Sequence, residues 1–155
     1  MERLCLPTWV MPPPKHPGET KGGKFKADEW KIFCTVNIPI TLTHLWGSKP
    51  ETNCYYQMLK NYMDLVTAIK IATKRSITPS DLVLYDVYMK SYLTGLLELY
   101  PHMKLTPYQH LALHFSTHLE RFGPTHAWRC YSFERYNGQL QKLPDNHKFG
   151  QWHDL

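Results

Sequence analysis

The chain has 155 residues, a hydrophobic content of 43%, an aromatic content of 14% and a formal net charge of +5. This length and composition are typical of one folded unit and exclude a globally disordered chain. The sequence holds no apolar run of about 18 residues, so no membrane association is expected. The positive charge fits an ordinary basic domain and modestly favours a nucleic-acid partner.

Residues 1–26 are predicted to form an extended arm, because they are rich in proline, glycine and lysine. The chain opens with an acid at position 2 and several prolines, which is unlike a signal peptide, so we expect the protein not to be secreted. The basic cluster over residues 15–31 fits either phosphate contacts or a solvated arm. Its members are Lys15, Lys21, Lys24, Lys26 and Lys31.

Residues 27–143 are predicted to fold as an all-α bundle of about five helices. The first helix covers Ala27 to Leu45, and Pro39 is expected to kink or split it, since proline lacks an N–H group. A short strand over residues 37–42 is the disfavoured alternative. The second helix covers Glu51 to Arg75, where apolar residues recur with helical spacing.

Two later helices share the same opening signal. Thr78 followed by Pro79 starts the third helix, which ends before Pro101, and Thr106 followed by Pro107 starts the fourth. The fourth helix is predicted to run without a break to residue 122, before a glycine and a proline. A fifth helix is predicted over residues 128–143, and residues 144–155 form a polar tail.

Four widely spaced cysteines are interpreted as small, reduced core residues, because the sequence contains no C-x-x-C pair. No zinc site built from cysteines alone is therefore expected. The positions are Cys5, Cys34, Cys54 and Cys130.

Three histidines spaced four apart are the first candidate site: His110, His114 and His118. His110 and His114 lie one helical turn apart, a spacing at which both imidazoles can reach one zinc ion. The alternative is that both are surface residues beside an apolar stripe. The angular drift along a straight helix argues against His118 as a third ligand.

Glu134 is the second candidate, because it stands among aromatic residues in the string 131–136. An unpaired buried carboxylate is costly, so this acid is expected to be paired or functional. In one interpretation it pairs with Arg129 or Arg135, or with a group on a neighbouring helix. In the other it is an oxygen ligand for a divalent metal such as Mg²⁺.

The residues from Gly123 to Gly138 resemble a known signature. GPTHAW over residues 123–128 and YSFERYNG over residues 131–138 are similar to the GPVHxRWMYPFERYxxxL motif of a transposon-associated domain of unknown function. That domain occurs beside or inside CACTA-type (En/Spm-like) transposases of fungi and plants. Weaker similarities lie at KFKADEW over residues 24–30, LWG over 45–47, NYMDLVTA over 61–68 and HLALH over 110–114.

The resemblance implies a metal-dependent DNA transposase. Such enzymes use three acids that hold two Mg²⁺ or Mn²⁺ ions for strand cleavage, and the wider group carries a zinc site with paired histidines before the last acid. By this analogy His110 and His114 match the paired histidines, and Glu134 matches the terminal catalytic acid. The implied phosphate contacts are Lys24, Lys26, Lys31, Arg129 and Arg135.

Two departures from that pattern limit the expected activity. The chain lacks the Cys-x-x-Cys half of the zinc site, and its other aspartates fall in helical patterns rather than at strand ends. We therefore expect a C-terminal transposase portion that is not catalytic alone, with transposon DNA or the remaining transposase chain as partner. A non-catalytic helical module that binds protein or DNA is the alternative. No small-molecule substrate is expected. The location implied is nuclear, or cytoplasmic for a non-functional remnant.

Overall fold

The computed structural model describes the backbone of residues 27–128 and the side chains of residues 29–128. Within that range every regular element is helical, which confirms the all-α prediction there. The elements are α1 (Ala27–Ile32), a π-helical turn (Phe33–Asn37), α2 (Ile38–Trp46), α3 (Cys54–Ala72), α4 (Pro79–Leu99), α5 (Pro107–Ala112), α6 (Phe115–Phe122) and α7 (Thr125–Trp128). The predicted arm, the tail and most of the predicted fifth helix lie outside the described residues.

An antiparallel hairpin of α3 and α4 forms the centre of the bundle, and α6 packs against α4. The apolar stripe predicted for each long helix faces the other, so burial of these side chains supplies the main stabilisation. Leu119 of α6 is almost fully buried and joins the same cluster. The buried cluster consists of Ala68, Ile71, Ala72, Tyr85, Met89, Leu93 and Leu119.

Polar contacts fix the register of the hairpin. The Asn61 side-chain amide donates to the Tyr92 carbonyl at 2.8 Å, and the Ser91 hydroxyl donates to Asp64 at 2.7 Å. Gly95 lies next to the Asn61 amide, and a Cβ at this position would overlap the amide nitrogen. A glycine inside a helix is usually unfavourable, so here it is explained by the close approach of Asn61.

Pro39 is accommodated without a break in the first helical stretch. The π-helical turn lies just before it, and the Ile38 N–H bonds to the Phe33 carbonyl five residues back. This wider turn makes room for a proline ring that clashes with the preceding turn of an ordinary α-helix. The Tyr62 hydroxyl donates to the Cys34 carbonyl at 2.8 Å and ties the turn to α3. The alternative strand over residues 37–42 is wrong.

The predicted N-caps are confirmed. Thr78 and Asp81 form a capping box at the start of α4, and Thr106 and Gln109 form one at α5. In each case the threonine hydroxyl accepts the N3 backbone N–H, and the N3 side chain accepts the cap N–H. Both helices therefore begin where local sequence alone places them.

The prediction of one continuous fourth helix is wrong. α5 ends at Ala112 and α6 begins at Phe115, with His114 at φ −95° and ψ 2° between them. The turn is tightened, since the His114 N–H bonds to the Leu111 carbonyl three residues back. The buried Tyr85 hydroxyl donates to the Ala112 carbonyl at 2.9 Å. This tertiary bond occupies a carbonyl that would accept the Ser116 N–H in an uninterrupted helix.

The interpretation of all four cysteines as core residues is also wrong. Cys54 is exposed at the first residue of α3, and Cys34 is only partly buried. The other two cysteines lie outside the described residues.

Candidate functional site: the paired histidines and the Gly-Pro turn

His110 and His114 lie side by side on the surface of the α5–α6 segment. Their Nε2 atoms are 3.4 Å apart, and the ring planes meet at 74°. Both side chains are exposed. The helix break between the two residues does not separate the imidazoles, because the tightened turn leaves both residues on the same face of the segment.

The separation of the two nitrogens fits joint ligation of one metal ion. Two nitrogens bound to tetrahedral zinc at about 2.0–2.1 Å lie about 3.3 Å from each other. The observed 3.4 Å matches that value. The same distance also fits a hydrogen bond between two neutral imidazoles, one as donor and one as acceptor. The geometry therefore supports two metal ligands without requiring a metal.

No third ligand approaches the pair from the part of the chain that the structure describes. That part contains no group of three or more histidine, cysteine, aspartate or glutamate side chains able to hold a metal ion. The His118 ring stacks on Phe122, with centroids 6.1 Å apart and planes at 15°. Any further ligands would have to come from water, from other residues of the chain or from a partner.

The first half of the signature, residues 123–128, forms an anchored turn after α6. Gly123 has φ 73° and ψ −161°, a region that is open essentially only to glycine. Thr125 is 7% exposed, and its hydroxyl donates to the Ala72 carbonyl at 3.1 Å. That carbonyl belongs to the last turn of α3, where helix carbonyls lack partners within the helix.

Trp128 closes the same turn. Its indole N–H donates to the Gly123 carbonyl at 3.0 Å, and its ring packs on Phe115 and Phe122 with centroids 5.9 Å and 6.4 Å away. The turn therefore fixes the direction in which the chain leaves α6. The roles of Thr125 and Tyr85 were not predicted from the sequence. The position of Thr125 directly after a Gly-Pro pair is the sequence feature that could have indicated its anchoring role.

Of the other predicted site residues, Lys31 alone lies within the described residues. Lys31 is partly exposed in the last turn of α1, where its carbonyl accepts the Thr35 hydroxyl at 2.7 Å. The catalytic candidate Glu134 and four of the predicted phosphate contacts lie outside the described residues. These four are Lys24, Lys26, Arg129 and Arg135.

Two aspartates of the central hairpin have structural partners. Asp64 accepts from Ser91, and Asp81 accepts from Lys74 at 2.6 Å and from Thr78. Bonds from Lys74 and Thr78 lower the pKa of Asp81 to about 2. Asp81 is therefore committed to capping α4 rather than to a metal centre.

An open apolar groove of about 490 Å³ lies between the end of α3, α4 and the α5–α6 segment. Buried Tyr85 forms part of its floor, and burial raises the pKa of its hydroxyl. His118 lies at its rim. Other lining residues are Ile69, Met89, Tyr108, Leu111 and Phe115.

Comparison with protein-family models, with curated proteins and with solved structures gave no match. Among the described helices, none combines the length and the apolar character needed to cross a membrane.

Proposed function

We propose that this chain is the helical, C-terminal portion of a CACTA-like DNA transposase, which acts on transposon DNA together with the rest of the transposase. By itself it binds DNA and does not cut it. In the intact enzyme Glu134 contributes to an acidic centre for Mg²⁺ or Mn²⁺, and His110 with His114 contributes half of a zinc site. Action on chromosomal DNA implies a nuclear location.

The observation that carries the proposal is the 3.4 Å approach of the two Nε2 atoms, directly before the signature turn. The proposed family order is paired histidines followed by a terminal acid, and the chain has His114 and Glu134 in that order. The turn at Gly123 and Thr125 gives the first half of the signature a physical role, because it anchors the chain after α6 to the end of α3.

The distribution of charge supports DNA contact through the chain ends. Residues 27–128 contain nine lysines and arginines against eight aspartates and glutamates. Residues 1–26 contain five lysines and arginines against two acids. The positive excess thus lies mainly in the arm, where flexible lysine side chains suit contacts to phosphates.

The proposal that the chain does not cut DNA by itself rests on the positions of its described aspartates. A two-metal centre needs several carboxylates around two ions about 3.5–4 Å apart. Among the described residues no such group occurs, and Asp64 and Asp81 are engaged in the hairpin. The missing carboxylates are expected from the rest of the transposase.

The experiment uses the full chain and a labelled DNA duplex, with anisotropy for binding and a denaturing gel for cleavage. We expect salt-dependent binding and no cleavage with Mg²⁺ or Mn²⁺. The double variant Lys24→Ala/Lys26→Ala should flatten the salt dependence by about one unit of slope per lost phosphate contact. Lys60→Ala, at an exposed lysine of α3 outside the predicted set, is the control. Cleavage that disappears in Glu134→Gln would refute the claim that the chain is catalytically incomplete.

The open apolar groove favours a second candidate function, a non-catalytic helical module that binds a protein partner. In that case Glu134 has only a structural role, as one member of an ion pair. Thermal unfolding of Glu134→Gln separates the two candidates. A loss of several kcal/mol identifies a buried structural pair, whereas a near-neutral change supports an acid retained for chemistry.

A further inference from the structure

One face of α4 presents apolar side chains to solvent with the spacing of a coiled-coil seam. Val83 is 63% exposed, Val87 is 56% exposed and Leu97 is 44% exposed. Lys90 and Thr94 lie between them and are exposed as well. Successive steps of four, three, four and three residues join these positions, which is the spacing of alternating a and d positions.

A carboxylate borders this seam without a partner. Asp86 Oδ1 is buried, and no hydrogen-bond donor reaches it within the described structure. Lys90 follows one turn later on the same helix, and no salt bridge joins the two side chains. A carboxylate with one buried oxygen that lacks a donor is destabilised, and a cation close to the partly exposed Asp86 side chain would offset part of that cost.

We propose that the α4 seam, defined as Val83, Val87, Lys90, Thr94 and Leu97, is the contact between two copies of this chain. The helices pair antiparallel around a two-fold axis between residues 88 and 89. Val87 of each copy then lies opposite Lys90 of the other copy, and Val83 lies opposite Thr94. A two-fold axis requires such a patch to be complementary to itself.

The charges are what select a second copy as the occupant. In knobs-into-holes packing, Lys90 of one copy enters the space between Val83, Asp86 and Val87 of the other. Its ammonium group then lies close to the accessible part of the Asp86 side chain, which is partly exposed. The two-fold axis repeats this contact, so one seam supplies both partners of two equivalent ion pairs.

The expected dimer is weak. A seam of about two heptads buries less than the roughly 1,600 Å² of a standard interface, so dissociation is expected near the micromolar range. Sedimentation of the full chain from about 5 to about 500 µM should show a reversible monomer–dimer equilibrium. A chain that is monomeric throughout this range overturns the proposal.

Charge variants at exposed seam positions test the pairing geometry. Val87→Lys places a lysine opposite Lys90 and should abolish the dimer, whereas Val87→Glu places an acid there and should retain it. Leu111→Lys is the control, because Leu111 on α5 is also 56% exposed but lies outside the seam. Equal behaviour of the two Val87 variants contradicts the antiparallel pairing.

A complementation experiment sharpens the test. Lys90→Glu should be monomeric alone, because its glutamate approaches Asp86 of the other copy. A mixture of Val87→Lys and Lys90→Glu chains should form a heterodimer, which native mass spectrometry distinguishes by mass. All these positions are exposed, so circular dichroism should show unchanged helix content. Two monomeric variants that do not combine would overturn the proposal.

Discussion

Single residues determine how the signature turn is built. Gly123 has a backbone conformation that side chains with a Cβ avoid, yet an added Cβ would meet no atom within 4 Å. The requirement for glycine here is therefore one of backbone conformation and not of space. Gly95 shows the opposite case, because its backbone is helical and the Asn61 amide fills the space beside it.

Gly123→Ala is expected to destabilise the fold by about 1–3 kcal/mol, the usual strain in this region of backbone conformation. Gly123→Asn should be no better, because asparagine tolerates the left-handed helical region but not ψ near 180°. Denaturant unfolding of both variants measures the effect. A fully stable asparagine variant would show that the backbone does not adopt ψ −161°.

Asp81 is expected to make stability depend on pH in acid. Its side chain is 10% exposed, and the bond from Lys74, followed by those from Thr78, lowers its pKa from the ordinary 3.8 to about 2. A lowered folded-state pKa gives stability that is complete above the unfolded value, near 3.8, and is lost as the pH falls through about 2.

The melting temperature of the wild type should therefore exceed that of Asp81→Asn at pH 5–7, and the gap should close between about pH 4 and pH 2. Lys74→Met is the matched background, because it removes the largest cause of the shift. In that background the gap should be smaller and should close at higher pH. A gap that persists unchanged below pH 2 would contradict the assignment.

The boundaries of the helices have two kinds of cause, local sequence and tertiary contacts. The starts of α4 and α5 were predictable from sequence, because a threonine, a proline and an N3 acceptor form a local capping unit. The break between α5 and α6 was not predictable, because its tertiary bond comes from Tyr85 of another helix. The tightened turn then allows Ala112, Leu113 and Phe115 to pack against one core. In a straight helix these three side chains would point in different directions.

Tyr85→Phe is expected to destabilise the fold by about 1–1.5 kcal/mol. The variant keeps the ring contact with Phe115, at 5.8 Å between centroids, and removes only the donor to Ala112. Because the freed carbonyl can accept Ser116, α5 and α6 should become more continuous. Tyr88→Phe is the control, at a tyrosine one turn further along α4. Equal stability of wild type and Tyr85→Phe would mean that the hydroxyl does not hold the break.

At the scale of the molecule, the histidine pair and the signature turn lie on one continuous segment that packs against the α3–α4 hairpin. The neighbouring position of the two histidines was predictable from their spacing of four. The site itself was only partly predictable, because Thr125 reaches Ala72 across 53 residues of sequence. Contacts at that separation depend on the completed fold rather than on local pattern.

The central claim is that His110 and His114 act together as two ligands of one metal ion. Isothermal titration of the full chain with Zn²⁺ tests it most directly, with His102→Ala, at an exposed histidine outside the pair, as control. We expect a site that His110→Ala and His114→Ala each weaken more than about tenfold. Zinc affinity that is the same in the wild type and in both alanine variants would contradict the account.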